Sequence, residues 1–253
     1  MKIYIPTLGR IDNQTTFNNL PNELKLKTIL VVQPHEEKEL RKLHNNIMVL
    51  PVHIKGIGKT RQYIIEQCKD NKLLFIDDDL KFLKRLPNLN KLKPCTDKEI
   101  IEMAQWLEDK IEHGYPLAGI SSQQGNHVHK THEVLLSRIY AIYSINVDIL
   151  KNLNIRFDEI ELMEDFNVQL RLIRNGMQTI LNSHFAHAQK NANAKGGCSD
   201  IRNIENQSKS ARLLAKLHYP YVKVVKKQSK SWEGMEERED VKIYWKKAYQ
   251  NSV

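Results

Sequence analysis

Leu73-Leu74-Phe75-Ile76-Asp77-Asp78-Asp79-Leu80 runs four apolar residues straight into three acids. The apolar run reads as a strand buried on both faces, and the acids mark where its side chains reach solvent. Adjacent carboxylates repel, so such a turn needs compensating positive charge. Hard oxygen donors suit Mg²⁺ or Mn²⁺, and open α/β sheets bind ligands at the carboxyl ends of their strands. A solvated acidic turn is the plainer alternative, and the flanking sequence decides between the two.

Upstream of this run, strand-like and helix-like segments alternate. Residues 2–6, 27–33 and 47–51 read as strands and 36–44 as a polar helix. Residues 58–69 read as a helix carrying Ile64, Ile65 and Cys68 at helical spacing. This order predicts a mainly parallel sheet with right-handed crossovers, an α/β fold. Downstream, 85–94 is a Pro/Asn/Lys connection. Residues 97–113 form a helix with Ile100, Ile101, Met103, Ala104, Leu107 and Ile111 as its stripe, stopped by Gly114. Residues 117–121, 137–144 and 177–181 read as strands and 165–175 as a helix. The polar stretch 122–130 reads as a loop over a site. A helix near 204–218, a strand at 221–225 and a charged hairpin or helix complete the chain.

The 253 residues, 41% hydrophobic and 27% charged, suffice for one large domain with an appendage. No apolar run approaches the ~18 residues of a membrane span, and the opening residues suit a strand better than a signal peptide. Cys68, Cys95 and Cys198 lack metal or disulfide spacing, so reduced thiols and a cytoplasmic setting are expected, with no membrane partner. Lys and Arg total 39 against 30 Asp and Glu, for a net charge of +9. A field of this sign attracts polyanions. The excess is patchy: 206–232 contains no acid but includes Lys223, Lys226 and Lys227, and 80–95 contains none but carries Lys81, Lys84, Arg85, Lys91 and Lys93. Solubility alone is the bland explanation of either patch.

Two further segments join the acids. Pro6-Thr7-Leu8-Gly9-Arg10 follows the opening strand, where a turn with a cation can meet a nucleotide. Lys55-Gly56-Ile57-Gly58-Lys59-Thr60-Arg61 opens a helix whose N-terminus and glycines favour an anion, although it is not a Walker A loop. This sequence of motifs resembles nucleotide-sugar glycosyltransferases of the GT-A fold, a Rossmann-like mainly parallel sheet flanked by helices. The resemblance implies that Asp77 faces the ribose or base and that Asp79 holds the metal on the diphosphate, with Asp78 sharing either role. It implies Arg61 near the base or diphosphate, and Thr7 and Arg10 along the nucleotide pocket. Mn²⁺ or Mg²⁺ and a nucleotide-sugar donor of the UDP type follow as cofactors. Asp77 and a late histidine, His187 with His184 behind it, are the expected further metal ligands.

Glu164-Asp165 opens the 165–175 helix, where a carboxylate gains from the helix dipole and can take a proton from an acceptor hydroxyl. Acids at this position also serve as helix punctuation. Asp165 is the preferred base if configuration inverts; with retention the acid only positions substrate. Nearly the whole chain is similar to the phage-type, TET-associated glycosyltransferases, which are predicted to glycosylate hydroxymethylated pyrimidines in DNA. The residues that carry this are the Asp-Asp-Asp run, Gly119-Ile120-Ser121-Ser122 with Gly125-Asn126, Met163-Glu164-Asp165-Phe166, and Gly196-Gly197-Cys198-Ser199 with Arg202. The expected organisation is a GT-A catalytic domain over 1–203 with a basic extension, 204–253, packed on it. DNA is the expected acceptor, contacted by Lys223, Lys226 and Lys227, with His127, His129, Lys130 and residues 80–95 on the same face. A protein, glycan or small-molecule acceptor, and a non-enzymatic nucleic-acid-binding protein, are the alternatives. Oligomeric state stays open.

Overall fold

The computed structural model describes residues 1–87, 91–189, 202–228 and 237–252. Its first half alternates strand and helix: β1 (Lys2–Pro6), α1 (Thr15–Asn19), α2 (Asn22–Lys25), β2 (Thr28–Val32), α3 (Glu37–Leu40), β3 (Ile47–Val49), α4 (Ile57–Gln67) and β4 (Lys72–Ile76). A hairpin follows the acids, β5 (Leu80–Arg85) and β6 (Leu92–Pro94), then α5 (Asp97–Glu112) and β7 (Leu117–Ser122). Next come β8 (Glu133–Leu135), β9 (Ile142–Asn146), α6 (Val147–Asn152), α7 (Glu164–Arg174) and β10 (Ile180–Gln189). The chain closes with α8 (Ile204–Leu217), β11 (Val222–Gln228), β12 (Glu237–Ile243) and α9 (Trp245–Gln250).

The main sheet runs β3-β2-β1-β4-β9-β7-β10-β5-β6, with β8 also on β10. It is parallel from β3 to β4 and again between β7 and β10, and β9 enters antiparallel between β4 and β7. β1 and β4 are central, which is why Ile3, Tyr4, Ile5 and Leu73 through Ile76 are continuous apolar runs buried on both faces. One face packs on α5, whose Ile100, Met103, Ala104, Leu107 and Ile111 join that core. A capping box between Thr96 and Glu99 fixes where α5 starts. The other face is covered by α4, α6 and one side of α7. The far side of α7 meets α8, the β11–β12 hairpin and α9 through Phe166, Leu170, Ile173, Leu214, Val222, Val241 and Ala248. Among the described residues no helix is long and apolar enough to cross a membrane.

Three segments differ from the sequence reading. Arg85 and Leu92–Pro94, read as part of a connection, belong to the paired strands β5 and β6, a pattern masked by outward lysines and by a partner, β10, that is distant in sequence. The strand expected at 137–144 starts only at Ile142, because Ala141 has a φ of 65° and breaks the extended run. The strand expected at 177–181 extends to Gln189 through the polar Asn182-Ser183-His184, where its register on β7 shifts.

Two substitutions test this packing. A Cβ at Gly58 would stand 2.7 Å from the Phe157 carbonyl oxygen and 3.3 Å from that of Ile160. The glycine admits the 157–160 backbone, not a ligand, and Gly58→Ala is expected to cost about 1–3 kcal/mol, read as a lower urea midpoint at unchanged m. His218 is fully buried between α7 and the C-terminal segment, with Nε2 2.8 Å from Asn167 Oδ1. Burial, then Arg174 and Arg171, push it from 6.5 down to about 3. The unfolded chain therefore binds a proton that the folded chain refuses. The stability it contributes is full above pH 6.5 and is lost as pH falls toward 3. Substituting His218→Gln is expected to flatten this acid limb in denaturation curves taken from pH 7.5 to about pH 4.

Candidate active site

The three acids occupy the turn from β4 into β5, and α1 holds the turn's backbone. The Thr16 hydroxyl donates to the Asp77 carbonyl at 2.5 Å and accepts from the Leu80 N–H at 2.8 Å. The Asp77 N–H donates to the Ala141 carbonyl at 2.9 Å. This geometry divides the carboxylates. Asp78 turns inward with 7% of its side chain exposed, while Asp77 and Asp79 keep 28% and 20%. Asp78 pairs with Arg10, which also lies 3.2 Å from Asp79. Burial raises the Asp78 carboxyl to about 6, with Arg10 and the Thr7 hydroxyl pulling against it. Gln189, at the end of β10, donates to Asp79 Oδ1 at 3.2 Å.

Thr7 and Arg10 do not stand free along a nucleotide pocket as expected. Thr7 is buried, donating its N–H to the Val31 carbonyl at 2.9 Å and accepting from Gln14 at 3.1 Å. Both residues brace the acidic turn from within, because a buried carboxylate needs a cation and a donor more than a solvent-facing site does.

Arg61, on α4, is the hub. Its guanidinium reaches Asp77 Oδ1 at 2.7 Å and Glu164 Oε1 at 2.5 Å, lies over the Tyr143 ring at 5.3 Å, and is 4% exposed. In this structure it is an interior clasp between the two acids, where the resemblance had implied a place beside the base or diphosphate. Burial opposes its charge, but Tyr143, Asp77, Glu164 and Asp165 outweigh burial and keep it protonated. Burial also raises the carboxyls of Glu164 and Asp77, Arg61 pulls both down, and Asp165 pushes both up. Glu164 is thus spoken for by Arg61. Lys55 and Lys59, expected to draw an anion to the α4 N-terminus, line a cleft of about 200 Å³ together with Asp158, Glu159 and Glu161, of which Asp158 and Glu159 are already paired with Arg156 and Arg171.

Asp165 follows on the first turn of α7, which Met163 enters at φ 66°. A non-glycine residue there is strained, a state found at functional sites when the surroundings enforce it. Asp165 stays partly open to solvent. Its carboxyl is raised by burial, with Arg61, Arg138 and Arg202 opposing.

Two residues here escaped the sequence reading. Arg138 is exposed and stacked between Tyr140 at 4.4 Å and Phe166 at 4.7 Å, without an ion-paired carboxylate among the described residues. Its i, i+2 spacing from Tyr140 is a signal only once the local extended backbone is known. Glu36 is buried at the carboxyl end of β2, where Oε1 accepts from the Gly9 N–H at 2.7 Å and Oε2 has no partner. It read as a helix start.

Asp77 and Asp79 offer hard oxygens close enough for Asp79 to raise the Asp77 carboxyl, and this donor chemistry fits Mg²⁺ or Mn²⁺. His187 does not join them, since among the described residues no three His, Cys, Asp or Glu side chains gather as a metal-binding set. Its buried ring meets Tyr140 edge-on at 5.0 Å, and burial with Arg138 lowers it to about 3. His184 stacks on His132 at 4.4 Å, away from that role.

The expected DNA-facing stretch 80–95 is neutralised in part, with Lys81 and Lys91 exposed and without an ion-paired carboxylate among the described residues. Lys84 lies 3.3 Å and Lys93 3.0 Å from Glu99, and Arg85 is spent on Asn126 and the His129 carbonyl. Asn126 is itself a buried structural hub bonded to Ser121 and the Ser183 carbonyl. His127 and Lys130 are exposed and His129 is half-buried. Gly196-Gly197-Cys198-Ser199 lies outside the described residues.

A sequence model of the family described as TET-Associated Glycosyltransferase matches residues 1–197. Two phage proteins, each called beta-glucosyl-HMC-alpha-glucosyl-transferase, from Enterobacteria phages T6 and T2, are 25% identical over 237 residues, covering 86% of this chain and 80% of theirs. Among solved structures, S. aureus TarS 1–349 with UDP superposes at TM-score 0.51 and 17% identity over 85% of this chain; the chain spans 65% of that one. Glucosyl-3-phosphoglycerate synthase from Mycobacterium tuberculosis, in complex with Mn²⁺, UDP and phosphoglyceric acid, superposes at 0.55 and 13% identity, covering 96% and 86%. These two likenesses establish a GT-A fold.

Proposed function

Because the chain belongs to the TET-associated glycosyltransferases, matched over residues 1–197, we propose that it moves a hexose from a UDP-type nucleotide sugar onto DNA. The acceptor is a hydroxyl of a 5-hydroxymethylcytosine-type base, bare or already carrying one glucose. The observation that supports this is Arg61, buried and bonded to both Asp77 and Glu164, so that the residues read as donor-side and acceptor-side lie in one cluster. The phage relatives' name, with its HMC and glucosyl acceptor, supports the substrate class.

Asp77 and Asp79 would hold a divalent cation, which supplies positive charge against the departing diphosphate. In the transfer, the acceptor oxygen bonds to the anomeric carbon, and the bond from that carbon to the diphosphate breaks with its electrons leaving on phosphate. The hydroxyl proton is lost. Inversion would make Asp165 the base. Retention, in keeping with an alpha-glucosyl product from an α-linked donor, would leave the proton to the departing phosphate. Asp165 would then align the acceptor hydroxyl and offset cationic charge at the sugar. Arg138, exposed and stacked, is the guanidinium available to a phosphate beside Asp165. The target base has to leave the stack to reach this cluster.

The test is incubation with UDP-sugars and Mn²⁺ on duplexes carrying cytosine, 5-hydroxymethylcytosine or its glucosylated form, following UDP release, nucleoside mass and the anomeric coupling of the product. A hexose-sized gain confined to modified duplexes is expected. UDP release without a gain on any duplex would move the acceptor away from DNA.

A further inference from the structure

The C-terminal hairpin has one neutralised end and one bare end. Toward its tip, Lys227 lies 2.9 Å from Asp240, Lys226 stands opposite Glu239, and Glu239 also holds Arg212 at 2.8 Å. At its base, Lys223 stands directly opposite Lys242. Like charges at opposed positions of an antiparallel pair are destabilising. Lys247, from the first turns of α9, joins them: the ammonium groups of Lys223, Lys242 and Lys247 lie 5.9, 5.4 and 5.5 Å from the centre of the Tyr244 ring. All three lysines are exposed, and none has a carboxylate partner among the described residues. Ring attraction offsets part of this repulsion, and a bound anion would offset the rest.

From this geometry, and resting on DNA as the acceptor, we infer that Lys223, Lys242 and Lys247 around Tyr244 form a docking site for the phosphate backbone of the acceptor duplex. Tyr244 is half-buried and its ring is attended by lysines, so the cluster offers charge and not an open stacking face. That selects phosphates over splayed bases and gives affinity without sequence preference. The position also suits the chemistry. Tyr244 precedes Trp245, whose ring meets Phe166 edge-on at 6.1 Å, and Phe166 directly follows Asp165. The cluster around Tyr244 is thus linked, through one ring contact, to the first turn of α7. Of the same basic stretch of sequence, Lys227 is paired with Asp240 and Lys226 faces Glu239, so neither is counted in the site.

The test compares wild type, a Lys223→Gln/Lys242→Gln/Lys247→Gln variant, and a control of equal charge loss on exposed unpaired lysines elsewhere, Lys38→Gln/Lys69→Gln/Lys98→Gln. Duplex affinity is measured across salt, alongside KM for the duplex and the rate of donor hydrolysis without DNA. The expected result is a log–log salt slope shallower by about 1 to 3 for the first variant, with KM raised about tenfold or more and donor hydrolysis unchanged. The control should keep the wild-type slope to within about 1. A first variant indistinguishable from the control overturns the docking site while leaving DNA as the acceptor. Loss of binding to anionic vesicles or to RNA, with duplex binding intact, overturns it in favour of that other polyanion. Wild type that leaves every duplex unmodified removes the acceptor itself, a different failure.

Discussion

Replacing Arg61 with methionine is expected to lower stability by about 3–5 kcal/mol, because it strands the buried Glu164 and leaves the partly buried Asp77 without its cation. For a chain of this size that is a fall in Tm on the order of 10 °C. Methionine keeps an aliphatic stem but removes the guanidinium that lies 5.3 Å from the Tyr143 ring centre and 5.9 Å from that of Phe75, so the loss combines the two ion pairs with these ring contacts. Glu164→Gln should cost less, since the guanidinium keeps Asp77 at 2.7 Å. Combining Arg61→Met with Glu164→Leu should recover part of the loss, with a coupling of about 1 kcal/mol or more in the double-mutant cycle, while transfer stays absent. An Arg61→Met protein with wild-type Tm and urea midpoint would show that the clasp carries no stability.

Asp165→Asn is expected to do the opposite: transfer falls about 10²–10⁴-fold while Tm holds or rises. Burial raises the carboxyl of Asp165, so its ionised form is a burden on the fold, and the amide keeps an oxygen for the Phe166 N–H, now accepted at 2.9 Å. A residue that destabilises the fold and is needed for turnover is the expected signature of a functional group. Turnover within about threefold of wild type would remove Asp165 from the chemistry, as either base or charge stabiliser. A matching collapse of Tm would reduce it to helix punctuation.

How far each feature was legible depends on the distance over which its signal is written. The run Leu73 through Asp79 spelled out a central strand and the acidic turn at its carboxyl end, because burial on both faces and sudden acidity are local patterns. The parallel half of the sheet followed from alternation. What escaped was relational. Nothing near Arg61 says that it will meet Glu164, 103 positions away, so it read as a cation beside the base or diphosphate. Arg10, Thr7, Lys84 and Arg85 were likewise read as available when each is committed to a partner from another segment. Gly58 read as ligand space and proved to be packing space, since a glycine does not declare what approaches it. Charge counts gave the right sign for the C-terminal segment, but only strand register separates Lys223 and Lys242 from the neutralised Lys226 and Lys227.

β10 has a consequence for biosynthesis. It is the strand against which β5 forms its ladder, and its last residue reaches back to Asp79 across 110 positions. On the ribosome, β3, β2, β1 and β4 can assemble while β5, which follows the acidic turn, still waits for its neighbour. Contacts of such long sequence separation are slow to close, and an unpaired strand edge is prone to mispairing in the interval. A nascent chain halted before residue 180 would carry the whole acidic run and still lack the strand that steadies it. Catalytic competence in this protein is therefore acquired late in translation, after most of the polypeptide has emerged.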